Sequence, residues 1–223
     1  MDWPLLAPLD PEERQRVLAS TRTHRYARGE VLVREGDRSD SLHLVASGRL
    51  AVQITTPEGD NATLNVLGPG DYFGELSLLD GHQARSATVV ALEPAETLAL
   101  GAASFRELRQ RHRATEQLVL TLMARRVEEL SERLLEALYD DLDRRVSRRL
   151  VDLVRVYAEA EDHPGPVVVP LTQEQLAELV GGTRPSINQV LRRLEDEGVV
   201  ALGRGRITVT DPRRLARMAR MAR

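Results

Sequence analysis

Five residues in the middle of the chain combine chemical groups that suit recognition of a phosphate and a sugar. In Gly74-Glu75-Leu76 the glycine permits close approach of the backbone to a ligand, and a short helical turn after it would direct N–H groups at an anion. Arg85 can pair with a phosphate, Ser86 can donate its hydroxyl, and Glu75 can accept from a sugar hydroxyl. The same residues also suit a structural corner with a Glu75–Arg85 ion pair and no ligand. From the residues alone, both interpretations stand.

A second group of residues, near the C-terminus, has the pattern of two short helices joined by a turn. Thr172 and Gln175 form a capping box that opens the first helix. Gly181-Gly182 ends that helix, and Thr183 is a good N-cap for the next one. Two helices joined by a short turn that contains glycine predict a helix-turn-helix.

The second helix of such a motif enters the major groove of DNA, with its N-terminal residues facing the base edges. An arginine there can bridge guanine O6 and N7, and asparagine or glutamine can bridge adenine N6 and N7. Two strands, Val199–Leu202 and Arg206–Val209, follow and form a two-stranded wing with arginine at its tip. Arg192, Arg193, Arg204 and Arg206 suit DNA phosphates, which position the protein rather than specify the sequence. The predicted DNA-binding residues are Thr172, Thr183, Arg184, Ser186, Asn188, Gln189, Arg192, Arg193, Arg204 and Arg206.

Two kinds of element must position these residues. From Thr23 to Gly101, short runs rich in Val, Leu, Ile and Thr alternate with glycines about every 8–12 residues, which predicts an antiparallel barrel or sandwich. Thr115–Tyr139 instead has apolar residues at alternating spacings of three and four, a heptad pattern typical of a helix that pairs with a second copy. The alternative is a helix packed on its own barrel. The predicted dimer seam is Leu120, Met123, Val127, Leu130, Leu134 and Ala137.

The charge is distributed unevenly along the chain. Residues 1–112, the predicted sensor domain, carry a net charge of −4, and residues 113–142, the predicted dimerisation helix and hinge, carry −3. Residues 143–223, the predicted winged helix-turn-helix domain, carry +4. This asymmetry indicates that the rear of the chain meets a polyanion, which we expect to be double-stranded DNA.

Cysteine and lysine are both absent from the 223 residues. The absence of Cys excludes disulfides, thiolate catalysis, Cys-ligated zinc and Cys-held iron–sulfur clusters. The absence of Lys excludes Schiff-base chemistry and the P-loop lysine. No apolar run approaches the ~18 residues of a membrane span, and Met1–Pro11 does not have the pattern of a secretory signal. We therefore expect a cytoplasmic protein without membrane contact.

Four longer motifs stand out in the chain. They are Gly68-Pro69-Gly70-Asp71-Tyr72-Phe73-Gly74-Glu75-Leu76, Arg85-Ser86-Ala87-Thr88, Leu171-Thr172-Gln173-Glu174-Gln175-Leu176-Ala177 and Arg184-Pro185-Ser186-Ile187-Asn188. With the order of the elements, these motifs make the chain resemble, nearly end to end, the cyclic-AMP receptor protein/FNR (Crp/Fnr) family of bacterial transcription regulators.

The resemblance implies an α+β architecture: an N-terminal antiparallel, jelly-roll-like β-roll of cyclic-nucleotide-binding type, a long dimerisation helix and a C-terminal winged helix-turn-helix. It implies a homodimer, an inverted-repeat DNA site, RNA polymerase as a partner and no enzymatic activity. In members that bind cyclic AMP, the residues matching Glu75, Arg85 and Ser86 hold the ribose and the cyclic phosphate. The expected effector set is Gly74, Glu75, Leu76, Arg85, Ser86, Arg126, Leu130 and Ser131.

The chain departs from the family pattern in two places, one on the long helix and one in the recognition helix. Members that bind cyclic AMP have a Thr-Ser pair where this chain has Leu130-Ser131, so one hydroxyl that meets the adenine is lost. A lost partner to a buried base edge costs about 1–3 kcal/mol, while phosphate and ribose recognition are untouched. Members that read TGTGA half-sites have Glu and Arg where this chain has Pro185 and Gln189, so only the guanine contact of Arg184 is expected to survive.

Other effectors and functions follow different residue patterns. The absence of Cys excludes an iron–sulfur sensor, and we expect neither metal nor haem, because a lone loop histidine such as His82 is more often solvated. A cupin-type enzyme would need paired His-x-His ligands, which His24 and His43 do not provide. The alternative within the family is an effector-independent regulator controlled by its expression level. Besides His24, His43 and His82, the histidines that could serve as haem ligands are His112 and His163.

Overall fold

A computed structural model describes residues 3–57, 59, 61–75, 84–111, 113–158 and 165–220. The chain divides into two compact units, Met1–Thr55 with Leu64–Leu130, and Thr56–Thr63 with Ser131–Arg223. The described helices are α1 (Pro11–Ala19), α2 (Ala102–Arg111), α3 (Arg113–Tyr139), α4 (Leu142–Tyr157), α5 (Gln173–Val180), α6 (Arg184–Asp196) and α7 (Pro212–Arg220). The described strands are β1 (Arg22–Tyr26), β2 (Val31–Val33), β3 (Ser41–Ser47), β4 (Leu50–Thr55), β5 (Asn61–Leu67), β6 (Tyr72–Phe73), β7 (Thr88–Ala91), β8 (Ala95–Gly101), β9 (Val167–Val169), β10 (Val200–Gly203) and β11 (Arg206–Val209).

The first unit contains two four-stranded sheets, in the orders β1-β8-β3-β6 and β2-β7-β4-β5. The pairings of β3 with β8 and of β4 with β7 are antiparallel, as the sequence predicts. Successive side chains of β3 point to opposite faces of the sheet and therefore meet two different environments. Leu42 and Leu44 pack with the helices, whereas Val45 belongs to the core of the roll. The polar His43 therefore shares the inner face with Val45.

The unit has two apolar clusters, one on either side of the β3 sheet. Val45, Leu50, Phe73 and Val89 belong to the cluster inside the roll. The other cluster joins Leu42 and Leu44 to the helices and to the N-terminal segment, with these further buried members: Trp3, Leu5, Leu6, Leu9, Leu100, Phe105, Leu108 and Val119. Val119 lies on α3, so the N-terminal part of this helix is fixed to its own sheet.

The second unit contains a helix-turn-helix formed by α5 and α6, flanked by a small sheet in the order β10-β11-β9. The wing is therefore three-stranded rather than two-stranded, because Val167–Val169 pairs with β11 in an antiparallel register. The terminal helix α7 has no counterpart in the sequence analysis; it buries Leu215 and Ala219.

Helices α3 and α4 are separated by a break at Asp140-Asp141, inside residues 113–142, for which the sequence predicts a helix and hinge. Helix α3 ends at Tyr139, and the carboxylate of Asp141 accepts from the backbone N–H of Arg144 at 2.9 Å to cap α4. The boundary between the two units falls between Leu130 and Ser131 of α3, and the division at residues 112 and 142 stays a prediction. None of the helices within the described ranges combines the length and apolar composition that crossing a bilayer requires.

Candidate functional site

Arg85 is a buried cation in the first unit, with 6% of its surface exposed. Its Nη1 donates to the carbonyl oxygen of Ser41 at 2.9 Å and its Nη2 donates to Oγ of Ser41 at 3.2 Å. In the described part of the chain no carboxylate lies within 4 Å of the guanidinium, and Nε is buried without an acceptor. Burial lowers the pKa of Arg85, although the charges of Asp40 and Glu75 oppose this shift. The structural alternative, a Glu75–Arg85 ion pair, is not formed.

Gly74 lies directly against this guanidinium. Its φ of +92° is in the left-handed region that favours glycine, and a Cβ at this position would collide with Nη1 of Arg85. The sequence predicts that the backbone at Gly74 closely approaches a ligand; in the structure it closely approaches the side chain of Arg85. Burial raises the pKa of Glu75, while the positive charges of Arg126 and Arg85 lower it. Leu76 lies outside the described residues, and Ser86 is exposed.

A polar network continues from Arg85 into the sheet. Oγ of Ser41 lies 3.2 Å from Nε2 of His43, and Nδ1 of His43 lies 3.2 Å from Oγ1 of Thr97. The imidazole stacks on Phe73 with ring centroids 4.7 Å apart. Burial, followed by the charge of Arg85, lowers the pKa of His43 to about 4, so the ring is neutral near pH 7.

A cleft of about 780 Å³ in the first unit reaches this network. Polar side chains of β1 and β3 and the guanidinium of Arg85 contribute to its lining. The described ranges contain no group of three His, Asp or Glu side chains able to hold a metal ion.

Helix α3 carries the remaining predicted effector residues and the predicted dimer seam. Arg126 is half-buried, whereas Leu130 and Ser131 are exposed. Met123 packs against the apolar core of its own unit. The alternative of a helix packed on its own sheet thus holds for this position and Val119. The other seam residues are exposed, namely Leu120, Val127, Leu130, Leu134 and Ala137.

The helix-turn-helix is built by the capping residues that the sequence predicts. Thr172 accepts from the backbone N–H of Gln175, whose side chain accepts from the backbone N–H of Thr172. Gly181 ends α5 with a φ of +73°. The hydroxyl of Thr183 accepts from the backbone N–H of Ser186 and caps α6.

Only some of the predicted DNA-binding residues of helix α6 are exposed. Arg184, Gln189, Arg192 and Arg193 are exposed. Ser186 and Asn188, which are also predicted to bind DNA, are half-buried. Ser186 lies 2.9 Å from the capping hydroxyl of Thr183, and Oδ1 of Asn188 is buried without a hydrogen-bond partner.

A groove of about 350 Å³ brings three predicted DNA-binding residues together. Thr172, Arg184 and Arg206 line it with the wing glycines Gly203 and Gly205. Arg204, between these glycines, is exposed. The groove therefore joins the starts of α5 and α6 to the wing, on one surface.

Three arginines of α6 have acidic partners that sequence reasoning missed. Arg184 lies 3.7 Å from Glu174, which also lines the groove, and Arg192 lies 2.9 Å from Glu195. Arg193 pairs with Asp143 of α4. The signal for Glu174 was its position two residues after the helix cap Thr172.

Ser41 was also missed, although its sequence context carried a signal. In Ser41-Leu42-His43-Leu44 the polar residues alternate with leucines, which indicates two polar side chains on the inner face of a strand. Nothing in the sequence tied that strand to Arg85, which lies 44 positions away. Only the fold brings the two together.

A two-sheet roll with a buried arginine that has no carboxylate partner among the described residues, and a winged helix-turn-helix in the same chain, define a class: DNA-binding regulators with a ligand-binding domain. The cyclic nucleotide-binding domain model matches residues 23–112, and the Crp-like helix-turn-helix domain model matches residues 144–218. The chain belongs to the Crp/Fnr family of transcription regulators, and it is a regulator rather than an enzyme.

Relatives match over most of the chain. The cyclic AMP receptor protein of Thermus thermophilus is 35% identical over 97% of this chain and 96% of its own length. A CRP-like cAMP-activated global transcriptional regulator of Mycobacterium tuberculosis is 31% identical over 87% of each chain. The crystal structure of the Thermus thermophilus catabolite activator protein has a TM-score of 0.55 at 34% identity and covers 97% of this chain and 98% of its own. The predicted β-roll and winged helix-turn-helix architecture is confirmed.

Proposed function

We propose that the chain is an effector-responsive regulator whose effector is a cyclic nucleotide, with cyclic AMP as the first candidate. The observation that carries this proposal is the buried guanidinium of Arg85, which has no carboxylate partner in the described part of the chain. A buried cation is costly unless it is paired, and a cyclic phosphate would supply the missing charge. Relatives with 35% and 31% identity bear names that refer to cyclic AMP, which supports this effector.

The other residues of the proposed site have complementary roles. Glu75 accepts from the ribose hydroxyl, Ser86 and the backbone after Gly74 bind the phosphate, and Arg126 neutralises Glu75. Leu76, the last residue of the Gly74-Glu75-Leu76 segment, also belongs to the proposed site. Leu130 and Ser131 face the base, and only Ser131 can form a hydrogen bond with it.

Calorimetry of the purified protein with cyclic AMP and cyclic GMP tests the effector. Binding of either nucleotide, and its loss in Arg85→Leu, supports the proposal. If neither nucleotide produces heat at millimolar concentration, the effector assignment is wrong. Comparison of the two nucleotides also identifies the preferred base.

We further propose that α3 joins two copies into a homodimer. Its exposed side chains include Leu120, Val127, Leu134 and Leu138, each of which is at least 60% exposed. A contiguous apolar face on a monomer marks an interaction surface, and the heptad spacing suits a second copy of the same helix. Analytical ultracentrifugation should give a dimer of 24.9-kDa chains, and Leu134→Arg should give a monomer.

The DNA site follows from this symmetry. We propose an inverted repeat whose half-sites lie about 10 bp apart from centre to centre. Arg184 and Gln189 read base edges, supported by Ser186 and Asn188, while Thr172, Thr183, Arg192, Arg193, Arg204 and Arg206 position the phosphates. RNA polymerase is the proposed protein partner and the cytoplasm the proposed site of action. Selection from a random DNA pool, with and without cyclic AMP, tests both the operator and its dependence on effector.

An effector-independent regulator is the second candidate, and Leu130 favours it. This residue replaces a hydroxyl that meets the adenine in the resemblance and extends the apolar face of α3, so it would stabilise the dimer without ligand. In that case the affinity for the selected operator is the same with and without either nucleotide.

A further inference from the structure

Ser41 contacts the guanidinium of Arg85 through two different atoms. Its carbonyl oxygen accepts from Nη1 and its hydroxyl oxygen accepts from Nη2, at 2.9 and 3.2 Å. Two contacts to one residue restrict both the position and the rotation of a planar guanidinium. The side chain of Arg85 is therefore fixed from the β3 side.

Gly74 restricts the same group from another side. Any side chain at position 74 would occupy the space of Nη1, and the positive φ of this residue excludes most other residue types. The guanidinium is thus confined between the backbone at Gly74 and the start of β3. Its Nε is left buried without an acceptor.

The hydroxyl of Ser41 has two neighbours that can orient it, one of which is the buried His43. It has one hydrogen, and its oxygen already accepts from Arg85, so it donates either to Nε2 of His43 or to Oδ1 of Asp40, at 3.2 and 3.1 Å. Donation to His43 completes a continuous chain, because Nδ1–H of the neutral ring then donates to Thr97. The ring is held in place by its stack on Phe73.

We propose that Ser41, oriented by His43, is a positioning residue that holds Arg85 ready for an anionic oxygen of the ligand. This inference rests on the proposed function, in which that oxygen belongs to the cyclic phosphate. Of the five donors of the guanidinium, Ser41 occupies two and leaves Nε and two further N–H bonds for the ligand. Arg85 is therefore already ordered in the folded protein, so ligand binding does not have to supply the conformational entropy lost when its side chain is oriented.

The affinity for cyclic AMP tests this role in the full-length protein. Ser41→Ala should weaken binding about tenfold, because a hydrogen bond to a charged group is lost, while Ser41→Thr keeps the hydroxyl and should stay within about threefold of the wild type. Ser47→Ala, an exposed serine on the same strand, is the matched control. Adenosine carries no phosphate, so Ser41→Ala should leave its affinity unchanged, whereas a general disturbance of the roll would weaken both ligands. Wild-type affinity in Ser41→Ala overturns the proposal.

A ligand-free measurement separates this inference from the effector assignment. Nitrogen-15 NMR of the imidazole should show His43 neutral and protonated on Nδ1, and both Ser41→Ala and Arg85→Leu should move the Nε2 resonance. If the wild type binds no cyclic nucleotide but these shifts occur, the effector assignment is wrong. The hydrogen-bond relay from Arg85 through Ser41 to His43 is then supported, and it would position Arg85 for another anion. If the Nε2 resonance is the same in all three proteins, the relay is wrong whatever the effector.

Discussion

At Arg85, function and stability make opposite demands on one side chain. Within the described ranges Arg85 is buried without a carboxylate partner, and burial of an unpaired charge is costly. Arg85→Leu removes this cost together with the two hydrogen bonds to Ser41, so it should abolish effector binding while changing the free energy of unfolding of the ligand-free protein by no more than about 1 kcal/mol. Urea denaturation and calorimetry on the same sample check both parts. A large loss of stability would show that Arg85 is mainly structural.

His43 gives the roll a specific dependence on pH. Burial, and then the charges of Arg85 and His24, lower its pKa to about 4 from an ordinary value of 6.5, and Asp40 only partly opposes them. As the pH falls from 6.5 towards 4, the unfolded chain takes up a proton that the folded protein does not. The stability contributed by the neutral ring is therefore complete above pH 6.5 and falls by about 3 kcal/mol towards pH 4.

The variant His43→Phe keeps the stack on Phe73 and has no proton to gain. We expect its free energy of unfolding to fall less steeply between pH 6.5 and 4 than that of the wild type, as measured by urea denaturation at several pH values. Parallel curves for the two proteins would exclude a buried, neutral His43.

Glu174 places a carboxylate on the surface where DNA phosphates are expected. It lies 3.7 Å from Arg184 and both side chains are largely exposed, so the pair adds little stability. Glu174→Gln should release Arg184 and tighten operator binding roughly two- to fivefold, as read by fluorescence anisotropy. Glu197→Gln is the control, because Glu197 also pairs with an arginine, Arg214, but lies after the far end of α6. Equal effects of the two substitutions would mean that only net charge matters.

At the scale of elements, an ion network ties the end of α3 to α4. Arg148 of α4 donates to Glu136 of α3 at 2.7 Å, and Asp140 lies 3.0 Å from Arg144 and 3.5 Å from Arg148. Nε of Arg148 also donates to the carbonyl oxygen of Ala219 in α7, at 3.4 Å. Three helices of the second unit therefore meet at one arginine, next to the helix break at Asp140.

This network should transmit the effect of ligand on α3 to the DNA-binding helices. Arg148→Met should leave the affinity for cyclic AMP within about twofold and reduce the factor by which the nucleotide increases operator affinity. Because coupling is reciprocal, DNA should then also increase nucleotide affinity by the smaller factor. Arg155→Met on the same helix, where the arginine is exposed with a 3.9 Å pair to Asp152, should keep wild-type coupling.

Elements with strong local signals could be predicted from the sequence, and elements defined by distant pairing could not. The caps at Thr172 and Thr183 depend on neighbouring residues, and both are confirmed. The addition of β9 to the wing depends on pairing with β11, about 40 positions away, so it was missed. Met123 fits the heptad of the dimer seam but packs on its own unit, because spacing alone does not say which partner a helix face meets.

At the scale of the whole molecule, the charge asymmetry and the exposed face of α3 together constrain how DNA is bound. Only the rear part of the chain, with its net charge of +4, suits a polyanion. In the proposed dimer, one pair of α3 helices would hold two such parts, which would then have to bind two half-sites on the same face of the duplex. Separation of the half-sites by half a helical turn, about 5 bp, would put the second one on the opposite face.

The spacing of the operator is therefore a test of the assembly. We expect a 5-bp insertion between the half-sites of the selected operator to reduce the affinity of the wild-type protein to that of a single half-site, in anisotropy titrations at fixed salt. The monomeric variant Leu134→Arg should bind both duplexes with the same, weaker affinity, because it never uses the second half-site. Since this substitution is on α3, the recognition helix α6 is unchanged, and single half-site binding by the variant confirms that it still folds. Tight wild-type binding to the inserted duplex would contradict a rigid twofold dimer and leave each helix-turn-helix to act alone.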